Sequence, residues 1–409
     1  MNSAQLFTQA LGLLPPWYVE RIEFGIDSKG SKRLDIHLRF KKGSRFSDET
    51  GEQCLIHDTL ERSWKHLNFF EHTCYLHAKV PRIKTGTGKI KQVSVSWARP
   101  NSGFTLLLEA YAMGLIESEM PVNKAAHLLR VFPKRLWTVF NYWISIAFNA
   151  DDQSKIKSIG IDETSKKKGH DYIMVAADLD VRKVVFACPG KDANTVSQLA
   201  EHFKNKQIPL SQIEHISMDM SPAFIAGAFN HFPDAKIVFD RFHIKKMLNE
   251  AVDEVRKSER HLHNALKGHK YTFLKNSTNL SKKQKHAKIE LIEAYPALGE
   301  TVRLQELFDD FFEFSAEDEA AAFLAYWCDV AEESKILPMM KFAATIKSHW
   351  TGVINYVQAK ISNGILEGIN SKIQLAKNRA RGYRNTKNLI NMVYFIAGKL
   401  KFDYPHYST

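Results

Sequence analysis

Three strand-like runs, IKSIGID (156–162), DYIMVAADLD (171–180) and KVVFACPG (183–190), follow one another with short links. Apolar and β-branched residues fill each run and polar residues the breaks, as in an antiparallel meander. ANTVSQLAEHFKNKQ (193–207) then reads as a helix and IEHISMDMS (213–221) as a strand. A helix, PAFIAGAFNHF (222–232), and a strand, AKIVFDRFH (235–243), complete the stretch. The predicted order is β-β-β-α-β-α-β.

Three antiparallel strands followed by two strand–helix crossovers is the order of an RNase H-like mixed α/β sheet, and crossover handedness sets the fourth strand beside the first. Downstream, about 244–349 is almost wholly helical and charge-rich, which predicts an all-helical insertion. A helix from about Gly364 to Arg379, the basic run RARGYRN and a last apolar helix, NLINMVYFIAGKL, return the chain to the sheet, so 155–243 and 350–400 form one expected domain. Upstream, RIEFGIDSKGSKRLDIHLRFKK (21–42) predicts a β-hairpin and HTCYLHAKVPRI (72–83) a strand, giving a small β-rich module over 1–100. Residues 103–150 turn helical. Ala125, Ala126, Leu128 and Leu129 repeat at helical spacing, VFP interrupts, and Lys134 opens a second helix with Leu136, Val139, Phe140 and Trp143 on one face. Two helices about a tight break describe a helix-turn-helix, or equally an ordinary helical hairpin packed in a core. Its turn carries Arg130 where glycine would be easiest.

Fifty-seven Lys and Arg against forty-five Asp and Glu give a net charge of +12, which favours a polyanionic partner. No run is long enough for a membrane span, and the first residues lack the basic and small-residue signature of a secretion signal. The four cysteines are scattered with no CxxC pair, which argues against a disulfide framework or zinc ribbon and fits a reducing cytoplasm.

Two acids sit in apolar strands. Asp162 closes SIGID, and Asp219 alternates with Ile216, Met218 and Met220, so it projects from the opposite face. The strand order makes them neighbours. A buried carboxylate is costly unless paired or bound to metal, although each taken singly is as readable as a strand-end cap or an ion-pair partner. Phosphodiester cleavage and strand transfer need a nucleophile aligned with a departing oxygen, a task for two Mg²⁺ ions about 3.5–4 Å apart held by carboxylates. A third acid would come from a late helix crossing the sheet. In SNGILEGINSKIQLAKNRARGYRN (362–385), Glu367 lies one turn into a helix that Ser362 or Asn363 could cap, though the helix dipole alone favours a glutamate there.

IGIDET (159–164), SMDMSPAF (217–224), VFDRFHIKKMLNEAVDEVR (238–256), SNGILEGIN (362–370) and RARGYRN (379–385) together resemble the landmarks of the ISL3 family of insertion-sequence transposases, in the family's order across about 155–398. WKHLNF, VPRI and SWARP resemble its N-terminal region, and 122–147 its helix-turn-helix. The resemblance implies that Asp162, Asp219 and Glu367 form a DDE triad holding two Mg²⁺ ions, with Mn²⁺ able to substitute. The implied reaction is hydrolysis at the element's ends, then attack of the freed 3′-hydroxyl on target DNA. One departure stands out: the family's zinc-binding CxxC pairs flanking the WKHL-like segment are replaced by LRFKKGSRF and PRIKTGTGKI. Either the module folds without zinc or part of its recognition of DNA ends is lost.

Other candidates are expected around this triad. Asp240 reads as support for the metal site or as a helix N-cap, and His243 as a phosphate- or water-orienting group or a structural histidine. Lys166, Lys167 and Lys168 form a basic hairpin loop that could track DNA backbone or simply be a solvated tip. Arg379, Arg381 and Arg384, with Tyr383 among them, suit phosphate contact and base stacking and are expected next to Glu367. Lys134, Arg135, Thr138 and Asn141 are expected to face the major groove of the terminal inverted repeats. The expected partners are the element ends and target DNA in the bacterial cytoplasm, with a homodimer or larger assembly joining two ends. The competing expectations are an RNase H-like nuclease without strand transfer and a catalytically silent DNA-binding descendant.

Overall fold

Strand order in the central sheet follows from the meander and its two crossovers. β8 (Ser158–Lys167), β9 (Asp171–Asp178) and β10 (Lys183–Pro189) pair antiparallel, while β11 (His215–Met218) runs parallel to both β8 and β12 (Lys236–Phe239), giving the order β10-β9-β8-β11-β12. The fourth strand therefore lies beside the first. The computed structural model describes residues 2–404 apart from 29, 87, 168, 170, 263, 276–278 and 362. Two units separate: residues 1–143 with 402–409, and residues 144–401.

The first unit opens with α1 (Ser3–Ala10), β1 (Trp17–Ile26) and β2 (Lys32–Phe40), then the short pair β3 (Phe46–Ser47) and β4 (Gln53–Cys54). β5 (Ile56–Lys65), β6 (Thr73–Lys84) and β7 (Ile90–Gln92) complete a sheet of order β1-β2-β6-β5 with β7 on β6. β1 and β2 form the expected hairpin. The two stretches where the family's cysteine pairs would stand are organised by an apolar core and by strand pairing. Phe46 packs against Trp17 and Phe40, with centroids 6.1 and 5.4 Å apart, and β7 returns along β6. All four cysteines are buried free thiols.

Three helices end this unit's main run: α2 (Leu106–Glu117), α3 (Val122–Leu128) and α4 (Pro133–Ala150), the last continuing past the division. The break between α3 and α4 is tight because Arg130 takes φ +52°, the left-handed conformation at which glycine would be easiest. Buried Lys65 stabilises this turn, its ammonium donating to the carbonyls of Leu129 (2.7 Å) and Arg130 (2.8 Å) that α3 leaves unpaired. Burial pulls the Lys65 pKa down to about 8, with Arg130 and Arg135 adding repulsion. Glu109 of α2, wholly buried, accepts from Arg99 of the SWARP segment (2.8 Å), Ser102 (2.6 Å) and Trp143 of α4 (2.9 Å). One carboxylate thus ties a loop motif to two helices.

In the second unit, α5 (Ala193–Asn205) and α6 (Pro222–His231) are the crossover helices, packed so closely that a Cβ on Gly227 would meet Val196 at 2.7 Å. α7 (Arg241–Leu262) begins two residues after β12 ends, so DRFH is not strand, contrary to expectation. The carbonyl of Asp240 already accepts from Ile244, which starts the helix there. α8 (Lys270–Leu274), α9 (Lys282–Ala294), α10 (Pro296–Asp309), α11 (Glu317–Glu333) and α12 (Leu337–Ser348) form the helical stretch. It is no detached lobe: Phe308, Trp327 and Phe342 belong to the same buried core as Ile216, Met218 and Phe239. α13 (Trp350–Ala359), α14 (Gly364–Ala380) and α15 (Thr386–Ala397) close the unit. No helix among the described residues is long and apolar enough to cross a membrane.

Candidate active site

Register brings the acids together. β8 and β11 pair Ser158 with His215 through Gly160 with Ser217, and β11 and β12 pair His215 with Lys236 through Met218 with Phe239. Carried to the strand ends, the same register sets Asp162, Asp219 and Asp240 level on three adjacent parallel strands, neighbours being about 4.8 Å apart. Beneath them Ile161, Met218 and Phe239 are buried on the other face.

Each carboxylate has its own holder. Asp162 accepts from the Glu163 N–H (2.8 Å) and the Asn370 side-chain amide (2.7 Å). Burial raises its pKa to about 6, with the charges of Asp219 and Asp240 pushing the same way. Asp219 accepts from the Ser221 N–H (3.0 Å), closing the turn into α6. Asp240, 2% exposed, accepts from the Asn363 N–H (3.1 Å), and its other oxygen lies 3.3 Å from His243 Nδ1. That carboxylate holds the His243 pKa above its ordinary value.

The fourth acid arrives on α14. Asn363, Glu367, Asn370 and Gln374 recur at helical spacing along one wall of a cleft of about 350 Å³, faced by Asp162, Thr164, Asp240 and His243. Asn363 precedes the helix, yet its side chain makes no capping bond; it donates instead to the Ile161 carbonyl (3.3 Å). Ser362, the other cap candidate, lies outside the described residues. Gly160 permits this approach, since a Cβ there would meet Asn363, Leu179 and Leu366 at 2.7–2.9 Å. Asp219 is not on the cleft wall, but its charge acts on both Asp162 and His243.

The donor set suits a hard cation, being mainly carboxylate and amide oxygen. Buried polar atoms without a hydrogen-bond partner gather here: Ser217 Oγ, Asn363 Oδ1 and Asn370 Oδ1. Such orphans carry a desolvation cost that a bound ion or its water would relieve. No three His, Cys, Asp or Glu side chains among the described residues converge to grip an ion as they stand.

Other candidates fall elsewhere. Lys166 and Lys167 both face Asp171 across the hairpin (3.0 and 3.5 Å), Lys166 with only 10% of its side chain exposed; Lys168 lies outside the described residues. Arg379, Arg381 and Arg384 are exposed, but not next to Glu367 as expected. Arg379 is twelve residues further along continuous α14, about 18 Å away. On α4, Lys134 and Thr138 are exposed and Asn141 half-buried along one stripe, whereas Arg135 folds back over the Phe104 ring (4.2 Å). Sequence reasoning missed Asn370 and Phe242, which also lines the cleft. Their only signal was position, one at i+3 from Glu367 and the other between Asp240 and His243.

Comparison with known proteins covers both units. The family model described as Transposase, for the DDE transposases of the ISL3 family, matches residues 159–393, more than half of the chain. A second, described as helix-turn-helix domain of transposase family ISL3, matches residues 93–144. The transposase for insertion sequence element IS1001 of Bordetella parapertussis is 26% identical, covering 92% of this chain and 94% of its own length. The transposase for insertion sequence element IS1557 of Mycobacterium tuberculosis is 25% identical, with 95% and 94% covered. The first match takes in the whole row of aspartates and all of α14, the second most of the three helices around Arg130, and on that ground the chain belongs to the ISL3 family of insertion-sequence transposases.

Proposed function

We propose that this transposase binds the terminal inverted repeats of its own element and catalyses Mg²⁺-dependent DNA cleavage and strand transfer on an RNase H-like scaffold. The observation that carries the reading is the level row of Asp162 and Asp219 on adjacent strands, with Glu367 presented across the cleft by α14. The β-β-β-α-β-α-β order, with the fourth strand beside the first, supports the scaffold.

In this reading Asp162, Asp219 and Glu367 hold the metals, and Asp240 and His243 orient them or the scissile phosphate. Two bound Mg²⁺ ions, or Mn²⁺ in their place, would activate the attacking water or 3′-hydroxyl and stabilise the departing oxygen. Asn370 keeps Asp162 aimed, and Asn363 does the same for Asp240. Thr138 and Asn141 read base edges in the major groove. Lys134, Arg135, Lys167, Arg379, Arg381 and Arg384 serve as backbone contacts, while Lys166 stays with Asp171. Residues 103–150 form the reading domain, 155–243 with 350–400 the catalytic domain, 244–349 its insertion, and 1–100 a module that folds without the family's zinc. Joining two ends calls for a homodimer or larger assembly on the bacterial nucleoid.

The test is cleavage of a labelled duplex carrying the element's own ends, with Mg²⁺, by wild type and Asp219→Ala. Cutting at the element boundary by wild type alone is expected. Equal cutting by both would remove Asp219 from the chemistry, and specific binding without cutting by either would make the chain a silent descendant.

A further inference from the structure

Phe242 stands 51% exposed in the first turn of α7, between Asp240 and His243. A phenylalanine half in solvent beside a row of carboxylates serves neither a core nor a metal. It walls two cavities at once: the carboxylate cleft, and a larger one of about 570 Å³ that shares Asp240 and Gly364 with it. The larger cavity follows a stripe of α7 from Phe242 to Asp253 and is closed by Lys270 and Leu274 of α8. Its volume falls in the range of roughly 300–1,000 Å³ typical of small-ligand sites.

The charges in this cavity divide into spent and available. Asp253 is met by Arg256 (2.7 Å), Lys257 (3.0 Å) and Lys270 (3.7 Å), and Lys245 by Asp309 (2.9 Å). Arg241 lies over the Phe312 ring (4.5 Å), which among the described residues leaves Lys246, with Glu250 on the same lining. An open aromatic face, an apolar floor at Leu274 and the Lys246 ammonium suit a nucleobase and its phosphate, since every base offers a π-face for stacking.

We propose that this cavity receives one unpaired nucleotide adjoining the scissile phosphate, its base stacked on Phe242 and its phosphate met by Lys246. The inference rests on the reading of the neighbouring cleft as the cleavage site, because the shared wall at Asp240, Phe242 and Gly364 is what joins the two. Extruding a base costs its stacking and pairing in the duplex, and stacking on an aromatic side chain returns part of that cost. Phe242 is then a positioning residue that fixes where along the strand the phosphate meets the carboxylates.

The experiment uses full-length protein and element-end duplexes carrying 2-aminopurine at single positions around the cleavage point, in EDTA so that no chemistry occurs. Wild type should raise the fluorescence at one position, Phe242→Ala should abolish the rise, and Phe242→Tyr should keep it. With Mg²⁺, Phe242→Ala should cut roughly 10- to 100-fold more slowly, and an abasic nucleotide at the reporting position should restore much of that rate. Lys246→Gln should weaken the fluorescence change without changing its position. No rise at any position, or an equal rise with Phe242→Ala, overturns the proposal even if Asp219→Ala is inert. Normal cutting by Asp219→Ala beside a Phe242-dependent rise would instead sink the cleavage-site assignment.

Discussion

Asp162 ends a row that holds two like charges, and among the described residues the one side-chain amide that reaches it is Asn370, at 2.7 Å. A hydrogen bond to a charged group contributes about 1.5–3 kcal/mol, so Asn370→Ala should slow end cleavage roughly 10- to 100-fold while leaving the melting temperature within a few degrees. Asn370→Asp should be worse, since it adds a fifth carboxylate to the site. A variant as active as wild type would show that Asp162 needs no such support. The aspartates were legible in the sequence because an acid in an apolar strand is anomalous; Asn370 was not, because a polar residue one turn along a helix is ordinary. Two histidines make a separate, pH-dependent case. Burial lowers the pKa of both His66, whose Nδ1 lies 2.8 Å from Thr105 Oγ1, and His202, whose Nε2 lies 2.9 Å from Gln153 Oε1, to about 4. The unfolded chain binds the proton first, near pH 6.5, so the stability these residues contribute is full above that value and is lost as pH falls toward 4. Each should cost on the order of 2 kcal/mol by pH 5. Urea melts between pH 7 and 5 should show His202→Gln flattening that dependence, and an unchanged slope would mean that His202 protonates freely in the fold.

Among the elements, α14 and β8 decide whether there is a site. Their contact is close enough that Gly160 cannot bear a side chain without pushing Asn363 and Leu366 away. Gly160→Ala should therefore lift α14 off the strand, carrying Glu367 and Asn370 with it. The expected cost is about 1–3 kcal/mol of stability from overpacking, with cleavage falling far more than that loss explains. Wild-type cleavage by a correctly folded Gly160→Ala protein would show that α14 need not sit so near. The meander and crossovers were legible because period-two alternation and turn residues mark them directly. The early end of β12 was not, since Phe239, Phe242 and Ile244 read equally well as strand or helix until the Asp240 carbonyl is seen to be taken by Ile244. α13 went unread for a related reason. Its Gly352 marks close packing on Phe239, and its Asn355 donates to the Ile237 carbonyl at 2.8 Å, so the helix is defined by the edge strand it covers and only weakly by its own pattern.

At the scale of the whole molecule, the proposed function puts base reading and chemistry in different compact units, with Thr138 in the first and Asp219 in the second. The net charge of +12 supplies an attraction to DNA that belongs to no single residue. These two contributions are separable, because each phosphate contact steepens the salt dependence of binding by about 0.9 in log K against log salt. Asp219→Ala should bind the element's ends with wild-type affinity and wild-type slope while failing to cut. Lys134→Ala should weaken binding and flatten the slope by about one, and Thr138→Ala should narrow the gap between specific and unrelated DNA with the slope nearly unchanged. Binding titrations from 50 to 200 mM salt on end and non-end duplexes distinguish the three. If Lys134→Ala changes neither affinity nor slope, α4 is not the element that lies against the terminal repeats. Recognition would then have to be sought on the β-rich module, where Arg21, Arg39 and Lys79 are exposed on β1, β2 and β6.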